Sequence, residues 1–159
     1  MPEKMKAARF YKVGDPLKID LIPIPELGPG DVLVNVKACG ICGSDIHIVY
    51  EGVTPTANSP ITLGHEPSGV IAALGSEVDG WKIGDRVTIN PFLTCGKCIN
   101  CLSGNSQICI SRKVIGIHTE GGLAEFLRAP SKNLIRLSEN IPFDQGGIAV
   151  DAVATPFHA

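Results

Sequence analysis

Four of the chain's six cysteines fall in TCGKCINCLSGNSQIC, with the spacing C-x2-C-x2-C-x7-C. No other feature restricts the fold so strongly. Cys95, Cys98 and Cys101 stand two residues apart. Loops that tight do not readily give the Cα separation and torsion of a disulfide. Four thiolates converging on one tetrahedral centre ask less of the backbone, and borderline-soft Zn2+ closes such a site with no open position. An iron–sulfur cluster uses cysteines at similar spacing, and free thiols in a loop are the bland alternative. Structural zinc is the preferred reading, with Cys95, Cys98, Cys101 and Cys109 as ligands in a lobe spanning 94–110. Gly96, Gly104 and Asn105 are expected to supply the unusual backbone angles of such a knot. A closed four-thiolate site does no chemistry; it would staple a lobe that has little apolar core of its own.

Around this lobe the chain is punctuated by 18 glycines and 12 prolines in 159 residues. Pieces that short favour a mainly β fold over a helical one. Strands are expected at Met5–Tyr11, Leu17–Ile22, Gly69–Leu74 and Arg86–Ile89, with closing strands at Val114–Ile117, Leu123–Leu127 and Leu134–Leu137. Val32, Val34 and Val36 alternate with Leu33, Asn35 and Lys37, as in a half-buried strand. Ser44–Tyr50 reads as one or two helical turns. From Asp144, a plausible N-cap, Ile148, Asp151, Ala152, Thr155 and His158 fall near helical spacing, and Pro156 is expected to interrupt that helix.

The net charge is −2 and the basic residues are scattered. This argues against nucleic acid and anionic membrane as partners, because phosphate contacts need a surplus of Lys and Arg. No apolar run has membrane-spanning length. The opening MPEKMKAARFYK lacks the apolar core of a secretory signal, so a cytoplasmic location is the default.

A second group of metal-capable residues is dispersed. Cys42, Ser44, Asp45 and His47 lie in ACGICGSDIH, His65 and Glu66 in TLGHEPSG, and Asp151 and Thr155 in VDAVATPFHA. One thiolate, one imidazole and one carboxylate make a mixed set, and three protein ligands with an open position are the pattern of a catalytic zinc. Spacing alone leaves Cys39 and Cys42 equally eligible. It also leaves His65 eligible as an ordinary turn histidine and Asp151 as a surface carboxylate. His118 and His158 read as a strand-end histidine and a helix residue, although His158 could share the face of Asp151.

In order along the chain stand MKA, PGDVLV, CGICGSDIH, LGHEPSG, GWKIGDRV, the four-cysteine lobe, GGLAEF and TPFHA. This series resembles the N-terminal, GroES-like catalytic domain of the zinc-dependent medium-chain alcohol dehydrogenases, over nearly the whole chain. The resemblance implies a GroES-like β-barrel with a few short helices, covering 1–143. It also implies that 144–159 begin the helix leading to a cofactor-binding domain. It implies reversible hydride transfer between an alcohol or carbonyl substrate and NAD or NADP, two Zn2+ per chain, and a homo-oligomer at full length.

By the same resemblance Cys42, not Cys39, is a ligand of the catalytic zinc, with His65 and Asp151. Ser44 is the hydroxyl that bonds the substrate oxygen, and His47 is the outer end of a proton relay. Asp45 orients the ligand histidine, Glu66 is a carboxylate behind the zinc that assists ligand exchange, and Thr155 packs near the nicotinamide ring. Gly43 stands where some members carry an Arg or His that reaches the cofactor pyrophosphate. No G-x-G-x-x-G follows a strand in this sequence, so the dinucleotide-binding unit is expected outside these residues and the isolated chain is expected to be inactive. The rival functions are a zinc-stabilised GroES-like scaffold without catalysis, which needs one zinc rather than two, and a zinc-knuckle nucleic-acid binder, which the charge balance disfavours.

Overall fold

A computed structural model describes residues 2–158; the side chain of His158 lies outside the described residues. The chain is mainly β. Strands β1 (Lys4–Phe10), β2 (Lys18–Pro23) and β3 (Asp31–Gly40) open it, followed by helix α1 (Gly43–Ile46) and a π-helical turn, His47–Glu51. Next come β4 (Ile61–Thr62), β5 (Glu66–Leu74), β6 (Arg86–Ile89) and β7 (Phe92–Leu93). The lobe contributes α2 (Ile99–Leu102), a 3-10 turn and β8 (Lys113–Val114). Then β9 (Phe126–Pro130) and β10 (Leu134–Arg136) lead to α3 (Phe143–Ile148), a π-helical turn (Ala149–Val153) and α4 (Ala154–His158).

Five strands form one antiparallel sheet in the order β10-β6-β5-β3-β9, and three form a second, β2-β1-β4. The two are stitched together where Ala7 bridges Ala124 and Ala8 N–H donates to the Leu123 carbonyl at 2.8 Å. Val32, Val34, Ile71, Val87, Ile89, Ile115, Leu127, Ala129 and Leu134 make the main core. A second core of Phe10, Ile48, Val49, Ile61 and Leu63 presses the π turn after α1 against the segment that precedes His65. Each such side chain, fully buried, contributes about 1.5–3 kcal/mol relative to exposure. This second core therefore fixes the Cys42–His47 segment relative to His65.

Several local expectations are corrected. The alternation in β3 fails at Leu33, which is buried with Val32 and Val34; the register against β5 shifts between Leu33 and Val34, and a bulge breaks the two-residue period. The strand expected at Leu123–Leu127 begins at Phe126, because Leu123–Glu125 instead bond across to β1 and to Leu63. The strand expected at Val114–Ile117 stops at Val114, where the chain turns back on itself through Ile117 and His118 N–H donation to the Val114 carbonyl. Pro142, not Asp144, is the N-cap of α3; its extended backbone enters the helix, and Asp144 lies in the first turn. Asn105 has φ −101°, so only Gly96 and Gly104 supply left-handed backbone in the lobe. The last helix does not break at Pro156 but widens one turn earlier, at Ala149–Val153. A π turn accommodates the missing N–H and the crowding of the proline ring.

Two adjacent glycines bring this last helical segment onto the sheet. A Cβ on Gly147 would lie 2.6 Å from the Glu66 carbonyl oxygen, and one on Gly146 would lie 2.7 Å from Leu137. Side chains there would lift α3, and with it Asp151, away from the start of β5.

Candidate functional site and metal centres

In the lobe, Cys98 is the extended N-cap of α2 and Cys101 lies one turn later on the same side. Cys95 follows β7, and Cys109 closes the 3-10 turn Ser106–Ile108. The sulfurs lie 3.5 Å apart for Cys98–Cys101 and Cys95–Cys109, 3.9 Å for Cys98–Cys109 and 4.0 Å for Cys95–Cys101. A disulfide would need about 2.05 Å. Four Zn–S bonds of about 2.3 Å in a tetrahedron place sulfurs about 3.8 Å apart. The cluster fits a structural zinc. Backbone N–H groups of Cys101 and Ile110 hold the Cys98 thiol down to about 6, which favours the thiolate a metal needs, while burial pushes Cys101 up to about 12. Between residues 95 and 110 only Cys109 is buried, and Ile99, Leu102, Ile108 and Ile110 face solvent. An apolar core does not hold this lobe together, so a central ion is the natural staple.

The second group comes from three separate stretches of chain. Cys42 is the N-cap of α1, just past the end of β3, and its N–H donates to Asp45 Oδ2 at 2.9 Å. His65 follows Gly64, whose φ of +93° turns the chain from β4 into β5. Glu66 opens β5 and pairs with Gly40 at the end of β3. Asp151 sits in the π turn beyond α3. One donor atom from each of Cys42, His65, Glu66 and Asp151 lies within 4.8 Å of the others. Asp151 Oδ2 is 3.2 Å from His65 Nε2 and 3.6 Å from Cys42 Sγ. Tetrahedral zinc with ordinary bond lengths sets those separations at about 3.3 and 3.5 Å. The other ring nitrogen of His65 adds a further sign of fit. Nδ1 is buried without a partner, as is Asp45 Oδ1, and the two are 4.0 Å apart. A small closure would give the carboxylate–histidine pair that orients metal-bound imidazoles.

The remaining residues fall nearby. Ser44 Oγ is 3.5 Å from His65 Nε2. His47 lies on the π turn, half exposed, with Nδ1 2.7 Å from Glu51 Oε2. Thr155 donates its hydroxyl to Asp151 Oδ1. Burial pushes the Glu66 carboxyl above its usual range, His65 opposes this, and Asp151 adds to it. Burial alone would raise Asp151, but Thr155 and His65 outweigh it and hold that carboxyl below its usual range. Cys39 stands apart from the donor group: it lies against the Gly40 carbonyl, and burial pushes its thiol up to about 12. A thiol of that kind resists giving up the proton a metal ligand must lose, which leaves Cys42 as the cysteine of the donor group. His118 Nδ1 accepts the Val114 N–H within a turn.

Two features escaped the sequence reading. Glu51, partner of His47, was readable as an i, i+4 pair on a helical segment. The other is Arg9, nearly buried, which donates to the Pro60 carbonyl, Thr62 Oγ1 and Glu120 Oε2 at 2.8, 3.0 and 2.5 Å. It ties β4 to the loop that runs beside Gly64, and no local signal connects residues 111 positions apart.

Residues 28–139 match the alcohol dehydrogenase GroES-like domain. The chain belongs to this family. The GroES-like domain is 36% identical over 146 residues to an L-threonine 3-dehydrogenase of Symbiobacterium thermophilum, covering 91% of this chain and 42% of that protein. It superposes with TM-score 0.91 and 32% identity on acetophenone reductase from Geotrichum candidum solved with NAD, covering 99% of this chain and 47% of that one. A cobalt- and zinc-bound alcohol dehydrogenase from Pyrobaculum aerophilum gives TM-score 0.86 and 33% identity, covering 92% and 45%. The GroES-like domain thus spans less than half the length of these relatives. Among the described residues no helix is long and apolar enough to cross a membrane.

Proposed function

We propose that these residues form the zinc-bearing, substrate-side domain of an alcohol or polyol dehydrogenase that moves hydride between an alcohol and NAD or NADP. The observation that carries the reading is the mixed donor group, with Asp151 Oδ2 at 3.2 Å from His65 Nε2 and 3.6 Å from Cys42 Sγ. A scaffold has no use for a thiolate, an imidazole and a carboxylate converging at tetrahedral spacing beside a serine hydroxyl. Cys42, His65 and Asp151 would hold the ion, with Glu66 behind it. Bound there, zinc supplies Lewis acidity, which lowers the pKa of an alcohol oxygen and polarises a carbonyl.

The chain's own residues handle orientation and protons. Ser44 Oγ, 3.5 Å from His65 Nε2, would hydrogen-bond the substrate oxygen and take its proton while giving up its own hydroxyl proton toward the outer histidine. His47, on the next helical turn and half exposed, can pass a proton to water with Glu51 as its partner. Asp45, buried 4.0 Å from His65 Nδ1, would on a small closure accept that N–H and so fix which nitrogen of His65 faces the site. Residues 1–143 then form the catalytic domain, and the helix from 144 leads toward the unit that binds the nicotinamide cofactor. Among the described residues the named strands pair antiparallel, with no βαβ unit for a dinucleotide.

Metal analysis of the purified chain tests this reading. Two zinc ions per polypeptide are expected, of which His65→Ala removes one and Cys98→Ser the other. A single ion per chain that survives His65→Ala would leave only a stapled scaffold. Alcohol-dependent NAD(P)H formation by these 159 residues alone would refute the division of labour between the two units.

A further inference from the structure

The two oxygens of Asp151 have different tasks. Oδ2 faces His65 Nε2 and Cys42 Sγ at 3.2 and 3.6 Å, while Oδ1 accepts the hydroxyl of Thr155, one turn further along the helix. The carboxylate sits within the π turn Ala149–Val153, and Thr155 is in the regular helix that resumes at Ala154. A widened turn shifts the side chains that follow it relative to those within it. The Thr155 hydroxyl spans that irregularity and reaches the carboxylate. Thr ordinarily returns its hydroxyl to a backbone carbonyl one turn back in a helix. Here the acceptor is the side chain.

We propose that Thr155 is a positioning residue for the metal centre: its hydroxyl occupies Asp151 Oδ1 and commits the carboxylate to bind through Oδ2 alone. This rests on the reading of Cys42, His65 and Asp151 as a metal set. A carboxylate free at both oxygens can rotate about its last torsion, turn away toward water or take a cation through both oxygens. Any of these would use up or misplace the position left for a substrate oxygen. A hydrogen bond to an ionised acceptor is stronger than a neutral one and directional. Outer partners of this kind typically set metal affinity by about 10–100-fold. The role differs from packing against a nicotinamide ring, because it operates with no cofactor present.

Zinc competition with a chromophoric chelator, without nicotinamide, separates the two roles. Thr155→Val keeps the shape and removes the hydroxyl. It is expected to weaken zinc at the mixed centre by about 10–100-fold and leave the four-cysteine zinc as an internal reference. Thr155→Ser, which keeps the hydroxyl, is expected to restore most of that affinity. With Co2+ in the mixed centre, Thr155→Val should also change the visible absorption as the coordination changes, and Thr155→Ser should not. Unchanged affinity and an unchanged cobalt spectrum in Thr155→Val would overturn the assignment. So would a loss that Thr155→Ser fails to restore, since that marks a packing effect. Failure of the underlying reading looks different, because His65→Ala would then leave the metal count untouched.

Discussion

Substituting Gly64 should damage both the fold and the mixed centre. Gly64 has φ +93°, and a Cβ there would lie 2.7 Å from both Cys39 Sγ and Leu123 Cγ and 3.0 Å from the Leu123 nitrogen. Gly64→Ala therefore incurs two costs. Left-handed backbone at a non-glycine residue costs about 1–3 kcal/mol. Overpacking against atoms that include backbone adds about 1–3 kcal/mol. The expected total is about 2–6 kcal/mol, a large share of the 5–15 kcal/mol typical of a domain. Gly84→Ala provides the control, because Gly84 has φ +95° and open space where its Cβ would stand. It shares the backbone cost and lacks the clash, so the difference between the variants isolates packing. Urea unfolding at equal total zinc measures both. Metal analysis should also show Gly64→Ala losing the ion at His65, its neighbour, while the lobe keeps its own. Equal destabilisation in the two variants, within about 0.5 kcal/mol, would refute the packing argument.

Cys98→Ser should lower the zinc content by one and expose amides across residues 94–110 to hydrogen exchange, with the sheet amides remaining protected; protection retained throughout the lobe would show that metal is not what orders it. Glu120→Gln removes the charge facing Arg9, but the Glu120 side chain is 53% exposed and water screens the pair, so the cost in urea unfolding should be about 1 kcal/mol; a loss above about 3 kcal/mol would mark it as a buried pair instead. Burial would raise the Asp85 carboxyl, but the Lys82 N–H and Arg136 outweigh it and hold it below its usual range. A depressed carboxylate stabilises the folded state above its unfolded pKa, about 3.9, and that contribution is lost as pH falls through the folded value. Asp85→Asn should therefore flatten the acid side of the stability profile below about pH 4, as read by thermal melts across pH.

Local chemistry was legible where residues act on near neighbours. The cysteine spacing announced the lobe, and β-branched runs announced β3, β5 and β6. The ordered pieces around Cys42, His65 and Asp151 named a set that the fold brings within one cluster of donors. What could not be read depends on partners far along the chain. Phe126, rather than Leu123, opens β9 because Leu123–Glu125 bond to β1 and to Leu63. The break in the β3 pattern at Leu33 follows from a register shift against β5. The Arg9–Glu120 pair joins segments 111 positions apart with no shared motif. The π turn that carries Asp151 follows from a proline several residues later, whose effect is felt upstream rather than at its own position. Thr155 was legible as a site residue, but its hydrogen bond to Asp151 depends on that irregular turn.

The two donor clusters also differ in how much chain each must enclose. The four cysteines close a loop of fewer than twenty residues, so they can gather around an ion while the rest of the polypeptide is still searching. Cys42, His65 and Asp151 cannot meet until both sheets are paired and the last helix has docked, because the loops between them are long and their closure is entropically costly. During refolding with limiting metal, the cysteines should capture the first ion. Uptake of the second then marks the moment at which the whole polypeptide has reached its final arrangement.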